Sequence, residues 1–258
     1  MCRIKVFLLH IVAPVIIGRA ILAKPARQGL RPEKFVRNFL ANTIRKFWLL
    51  IFQALYYPLA PLYDKISQYG FLGQWVKWQQ SVLPRIQGKR VLEIGCGTGS
   101  LLKVLLERKY RAFGLDASPA MLGQARKKLK KAGFEGRLVQ GKVQHLPFPD
   151  NTFETVVSTF PTSYIMSLES LNEIQRVLYP GGRLVVVDTA FLKPYSRASR
   201  FLIRVYGWVG VWGESGKNKT QRDRTFYLPL AEAGLVRRDE IYEDDQGEAH
   251  IIVATKVW

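Results

Sequence analysis

A β-branched run that stops at an acid and passes straight into three alternate glycines, Val91-Leu92-Glu93-Ile94-Gly95-Cys96-Gly97-Thr98-Gly99, constrains this chain more than any other stretch. Glycines this close together bring the backbone itself up to a ligand, because a Cβ blocks the contact or the turn. Ser100 and the apolar run Leu101 to Leu106 then predict a helix over 100–107, so the loop sets free backbone N–H groups at a helix start. Strand, glycine loop and helix make a nucleotide-type pocket.

The details of the loop narrow the nucleotide. A dinucleotide fingerprint requires glycine at position 100, where this chain has Ser100, and a P-loop is excluded because no Gly-Lys-Ser/Thr follows. The next apolar strand, Arg111 to Asp116, ends in an acid about 20 residues after the loop, where a ribose hydroxyl needs an acceptor. Asp116 is the expected ribose ligand. Ser118 then reads as an N-cap, with Pro119 at the first helical position.

The E-x-G-x-G-x-G pattern resembles motif I of the class I S-adenosylmethionine-dependent methyltransferases, in which the acid lies near the methionine end and the glycines pass under the cofactor. Three further segments keep the family's order. Asp116-x-Ser118-x-x-Met121-Leu122 follows the second strand. Gly141 to Asp150 resembles the third cofactor segment and precedes a fourth strand over 153–160. Arg176 to Leu184 resembles the family's helix, Pro-Gly-Gly turn and fifth strand. The resemblance covers roughly residues 88 to 255. It implies an α/β, Rossmann-like three-layer sandwich with a seven-stranded, mostly parallel sheet, closed by an antiparallel hairpin near Asp239–Tyr242 and Ile251–Thr255. It implies S-adenosyl-L-methionine as cofactor, held by Glu93, Gly95, Cys96, Gly97, Thr98, Gly99, Asp116, Ala117, Met121, Lys142, Val143, Thr159 and Phe160. One position departs from the pattern: the family usually has Asp where Lys142 stands, accepting from the adenine amine, and a lysine cannot accept. The backbone of Val143 is left to face the adenine ring.

Composition bounds the rest. At 258 residues and 48% apolar content the chain can hold one α/β domain with a substantial core and extensions. Cys2 and Cys96 are the only cysteines, so no disulfide framework is implied, and Cys96 reads as a small residue filling the tight turn. Three scattered histidines give no metal-ligand spacing, and no metal is expected. The formal charge is +19, of which residues 1–88 carry a net +11. So basic an extension expects an anionic surface.

Its apolar runs favour membrane over nucleic acid. Ile4 to Ala23 is just long enough to cross a hydrocarbon core of about 30 Å, and no small-x-small cleavage site follows it. Phe47 to Tyr63 is shorter and ends in Trp, Tyr and Pro, the composition of an interfacial or re-entrant segment. Between them Arg19, Lys24, Arg27, Arg31, Lys34, Arg37, Arg45 and Lys46 suit anionic headgroups. We therefore expect residues 1–62 to be a helical, membrane-associating extension on a catalytic domain over 63–258, at the cytoplasmic face of a membrane. Within 194–216, Arg197, Arg200 and Arg204 recur at helical spacing among aromatic residues. In this family the insertion after the fifth strand commonly covers the substrate site, which makes Tyr206 and Trp208 candidate substrate contacts. The Lys127-Lys128-Leu129-Lys130-Lys131 run reads as a solvated helix face.

For methyl transfer the protein must position a nucleophile in line and exclude water, with a base only where the nucleophile loses a proton. Substrate-side residues are expected just beyond the fourth strand. Tyr164 and His145 are the candidates for orienting or deprotonating a hydroxyl. Phe160-Pro161-Thr162-Ser163-Tyr164 is not the Asn/Asp-Pro-Pro-Tyr/Phe motif of enzymes methylating adenine amines. Tyr63-Asp64 through Trp75 and Lys77 partly resembles the tyrosine-aspartate helix of quinone-biosynthesis and phospholipid methyltransferases, placing Tyr63 as a lid over the methionine end. The expected acceptor is a lipophilic small molecule, lipid-like or quinone-like. A thiol or small-molecule methyltransferase, an RNA methyltransferase using the basic surface, and a cofactor-binding scaffold without turnover stay open as alternatives. No oligomeric state is specified.

Overall fold

In the computed structural model the described residues are 60–135, 137–209 and 228–257. A 3-10 turn (Ala60–Leu62) leads into helices α1 (Tyr63–Gly70) and α2 (Gln74–Gln80). The alternating part follows as β1 (Arg90–Ile94), α3 (Ser100–Glu107), β2 (Arg111–Asp116), α4 (Pro119–Lys131), β3 (Leu138–Gln140), β4 (Phe153–Thr159), α5 (Leu168–Val177), β5 (Leu178–Leu192) and α6 (Arg197–Val209). A hairpin of β6 (Leu235–Glu243) and β7 (Gly247–Lys256) completes the fold.

The strands form one seven-stranded sheet in the order β3-β2-β1-β4-β5-β7-β6. β1 through β5 pair parallel, and β7 runs antiparallel between β5 and β6. After β1 the chain winds outward to β2 and β3, then returns to lay β4 on the other side of β1. The crevice at the carboxyl ends of β1 and β4 is therefore the switch point where open α/β sheets bind ligands.

Strand side chains alternate between two cores because their period is two. Leu92, Val156, Leu184, Val186 and Ile252 face α5 and the segment before β6. Val91, Val157, Val185, Val187 and Ile251 face α2, α3 and α4. The expected three-layer sandwich is thus formed by two apolar layers with the sheet between them.

The sequence-predicted helix over 100–107 and strand over 111–116 coincide with α3 and β2. Ser118 caps α4, its hydroxyl accepting from the Met121 N–H at 3.3 Å with Pro119 beside it. The hairpin lies where expected, with Asp239 opposite Ile252. β5 starts earlier than the Pro-Gly-Gly turn predicts. Leu178 already pairs with Phe153 and Arg183 with Thr155, so residues 179–182 bulge opposite Glu154. Ala60 is buried and its turn packs on α4, just before the expected boundary at 62 and 63. Residues 1–59, which carry the expected extension, lie outside the described residues, as do 210–216 of the expected insertion.

Candidate active site

The glycine loop is clamped by its neighbouring strand. Gly95 and Cys96 donate their N–H groups to the Leu115 carbonyl at 2.8 and 3.1 Å. The Gly97 N–H donates to Asp116 Oδ2 at 2.8 Å and the Ser118 N–H to Asp116 Oδ1 at 2.8 Å. The carboxylate at the end of β2, the expected ribose acceptor, therefore stands directly beside the loop. Burial raises its pKa while these backbone donors pull it down.

Gly97 has φ +52°, and a Cβ built there meets nothing within 4 Å. Open space over a loop with an acid at its side fits an adenosine-bearing ligand, and the missing side chain is what keeps that space open. At Gly95 a Cβ would lie 2.4 Å from the Tyr164 hydroxyl, and at Gly99 3.0 Å from the Ala125 Cβ. The three glycines thus serve three different approaches: an aromatic hydroxyl, open space for ligand, and a helix.

Glu93 has the side-chain parity of Val91, toward α3, and is 1% exposed. Its carboxyl receives the Leu102 N–H, an orphan donor of the first turn of α3, whose N-cap Gly99 has no side chain to offer. Burial pushes Glu93 up to about 8, the neighbouring Asp116 adds to this, and Lys128 opposes it. The structure therefore places Glu93 beneath the loop, supporting the helix start. Cys96 is buried, and burial pushes its thiol well above the ordinary range, so it is a filler and not a nucleophile.

Tyr164 lies in a short 3-10 turn after β4, its hydroxyl 3.1 Å from Ser158 Oγ, which in turn donates to the Ile94 carbonyl at 2.9 Å. Its hydroxyl is held against the loop between β1 and β4. His145 is set apart from that arrangement: its side chain is 82% exposed and its Nε2 is 3.9 Å from Glu169. Thr159 and Phe160 are half-buried at the end of β4, Ala117 is exposed, and Met121 is fully buried on the inner face of α4. Lys142 is exposed and opens a turn in which its carbonyl accepts the His145 N–H at 3.1 Å, while the Val143 side chain is buried in the core. Arg176 fastens the following loop, donating to the carbonyls of Leu146 and Phe148 and to Asp150. If the adenine contact comes from backbone, Lys142→Asp binds cofactor as tightly as the wild type or more so, because it restores an acceptor. Calorimetric titration checks this, and a large loss would assign Lys142 itself a role.

Two groupings were not legible beforehand. Asp64, Thr98, Ser100 and Lys128 form a polar cluster on the outer side of the loop. Phe160 stacks on Trp75 at 4.3 Å, Trp75 stacks on Phe71 at 5.1 Å, and Tyr206 from α6 approaches Phe71 at 5.9 Å. The Tyr206 hydroxyl donates to the Gly70 carbonyl at 2.5 Å, so α6 closes on the end of α1. Phe160 has φ +51°, a left-handed conformation costing a bulky residue roughly 1–2 kcal/mol. Its N–H bond to the Val187 carbonyl at 2.8 Å and its ring stack hold it there. Tyr63 is half-buried at the start of α1, and Trp208 lies on α6 with its side chain outside the described residues.

A doubly flanked sheet with this strand order, a glycine loop and an acid ending β2 defines a Rossmann-like, nucleotide-binding type of α/β domain. Residues 91–182 match the family described as a methyltransferase domain. The chain is 34% identical over 163 residues to a demethylmenaquinone methyltransferase of Symbiobacterium thermophilum, matching 59% of this chain and 63% of that protein. It is 35% identical over 158 residues to a demethylmenaquinone methyltransferase of Thermus thermophilus, matching 59% of this chain and 71% of that protein. The chain thus spans just under two thirds of the first relative. A solved structure from Methanococcus maripaludis, assigned to the S-adenosyl-L-methionine-dependent methyltransferases, shares the fold with a TM-score of 0.53 at 22% identity, over 77% of this chain and 92% of that one. The chain belongs to the class I S-adenosylmethionine-dependent methyltransferases, and S-adenosylmethionine is the family's cofactor.

Proposed function

We propose that this protein transfers a methyl group from S-adenosylmethionine to a lipophilic, quinone-like ring at a membrane surface. The observation that carries the reading is the stack of Trp75 on the strained Phe160 at the carboxyl end of β4, beside the glycine loop. An aromatic wall there offers a planar acceptor a face to lie on, worth about 0.5–1.5 kcal/mol per ring pair beyond area burial. The relatives named demethylmenaquinone methyltransferase support the same acceptor class.

The cofactor supplies a methyl group already activated on a sulfonium. Asp116 and the loop orient its adenosine. Phe71, Trp75, Phe160 and Tyr206 exclude water and hold the acceptor ring. Tyr164, whose hydroxyl stands against Gly95, is the candidate for orienting or deprotonating a substrate hydroxyl; His145, expected from sequence to share that role, stands apart at the exposed edge.

Membrane association is part of the proposal. Among the described residues no helix is long and apolar enough to cross a membrane, and the expected Ile4–Ala23 run lies outside them. Leu62, Ile66 and Tyr69 on and beside α1 and Phe201 on α6 are exposed, next to exposed Lys65, Arg197, Arg200 and Arg204. Apolar and basic side chains in this mixture suit the interface of an anionic leaflet, with the domain on the cytoplasmic side.

The test is turnover of isotopically labelled S-adenosylmethionine with a demethylmenaquinone in anionic vesicles, against a thiol, a phospholipid and RNA. Methylation of the quinone alone is expected, and Trp75→Ala should raise the KM for it about tenfold, the equivalent of roughly 1.4 kcal/mol. Transfer to the thiol or to RNA with the quinone untouched would replace this reading with one of those alternatives.

A further inference from the structure

Lys128 belongs to a lysine run that sequence assigns to a solvated helix face, yet it shares the inner face of α4 with Met121, Ala125 and Leu129. Ala125 meets Gly99 of the loop, and one turn further on Lys128 reaches Ser100. Its Nζ lies 2.6 Å from Ser100 Oγ, 3.2 Å from Thr98 Oγ1 and 2.6 Å from Asp64 Oδ2. Asp64, from α1, accepts in turn from the Thr98 hydroxyl at 2.5 Å and from the Ser100 hydroxyl at 3.3 Å. Three segments distant in sequence therefore meet in one hydrogen-bonded network, and two of its members flank Gly99 in the loop.

The burial pattern says what the network is for. Ser67 is the buried residue of α1, whose remaining apolar side chain Ile66 faces outward with Tyr69. Among the described residues, Asp64 at one end of α1 and the Tyr206 bond to Gly70 at the other are polar ties from this helix to the rest of the domain. An isolated ion pair of this exposure contributes little to stability. Three polar groups converging on the buried Thr98, next to the open space at Gly97, instead fix the geometry of a loop.

We propose that Asp64 and Lys128 are positioning residues for the cofactor: as a pair they latch α1 onto the glycine loop and hold Thr98 and Ser100 in the binding geometry. This goes beyond the acceptor reading, and its deciding measurement needs no acceptor.

Calorimetric titration with S-adenosylmethionine and with S-adenosylhomocysteine, on the full chain, compares wild type with Asp64→Asn, Lys128→Gln and the double variant. Each single change is expected to weaken both ligands about tenfold, with the double variant little worse than either single, because residues in one network do not add. Where an acceptor turns over, the KM for cofactor rises while kcat at saturating cofactor stays within about twofold, as expected when only binding geometry is lost. Ser100→Ala, the mildest change, reads the same coupling with about a threefold loss if a charge variant folds poorly. Unchanged affinity in both single variants, with only a lower melting temperature, would reduce the cluster to a structural tie. Losses that add fully would show two independent contacts and no latch.

Discussion

Gly97→Val should leave a folded protein that no longer binds S-adenosylmethionine. An added Cβ meets no protein atom within 4 Å, so the main cost to the fold is what a β-branched residue pays at φ +52°, roughly 1–2 kcal/mol. The same open space is where the ligand must lie against the backbone, and two methyl groups there should cost at least about 100-fold in affinity, near 2.7 kcal/mol. Gly95→Ala makes the contrasting control. Its Cβ would stand 2.4 Å from the Tyr164 hydroxyl, so the damage should appear first as lost stability and be relieved in part by Tyr164→Phe. Asp116→Ala should fall between them, weakening binding by roughly 1–3 kcal/mol as an acceptor is lost and the Gly97 and Ser118 N–H groups lose theirs. Melting curves beside calorimetric titrations separate the three. Normal affinity in Gly97→Val would remove the loop from the cofactor site.

The parts that sequence made legible are those in which local chemistry has one solution. Alternate glycines after a β-branched strand, a Ser-Pro helix start and an acid ending the next strand each specify backbone geometry by themselves, and α3, β2 and the start of α4 lie where they predict. The sheet order follows from the family's motif sequence. What escaped depends on tertiary neighbours. Lys128 was hidden because a charge run reads as solvated, although helical phase alone puts position 128 with Met121, Ala125 and Leu129. The Trp75–Phe160 stack joins residues 85 positions apart, and no local pattern announces a left-handed phenylalanine.

Glu93 is a buried acid beside the start of α3. Its position two before the first glycine resembles motif I, and that resemblance implies a place near the methionine end of the cofactor. In the structure its carboxyl is buried and receives the Leu102 N–H in the first turn of α3. Tyr164 stands against the loop at Gly95, and Asp116 accepts from it at Gly97.

That burial makes the protein's stability depend on pH through Glu93. Its carboxyl, ordinarily ionised above about pH 4.3, is pushed up to about 8 by loss of water and by the nearby Asp116. Between those two values the folded chain keeps a proton that the unfolded chain releases. Stability from this group is therefore fully present below the ordinary carboxylate range and is lost as pH rises through about 8. The slope is at most roughly 1.4 kcal/mol per pH unit. Glu93→Gln keeps the shape and an acceptor for the Leu102 N–H while removing the ionisation. Its melting temperature should nearly match that of the wild type near pH 5, exceed it increasingly up to about pH 8, and keep a level excess equivalent to several kcal/mol above that. Thermal unfolding of the two proteins across that range checks the sign as well as the size. Parallel curves would mean that Glu93 is already ionised in the folded state, with Lys128 outweighing burial. A variant less stable at every pH would mean that the carboxylate, and not its protonated form, holds the start of α3.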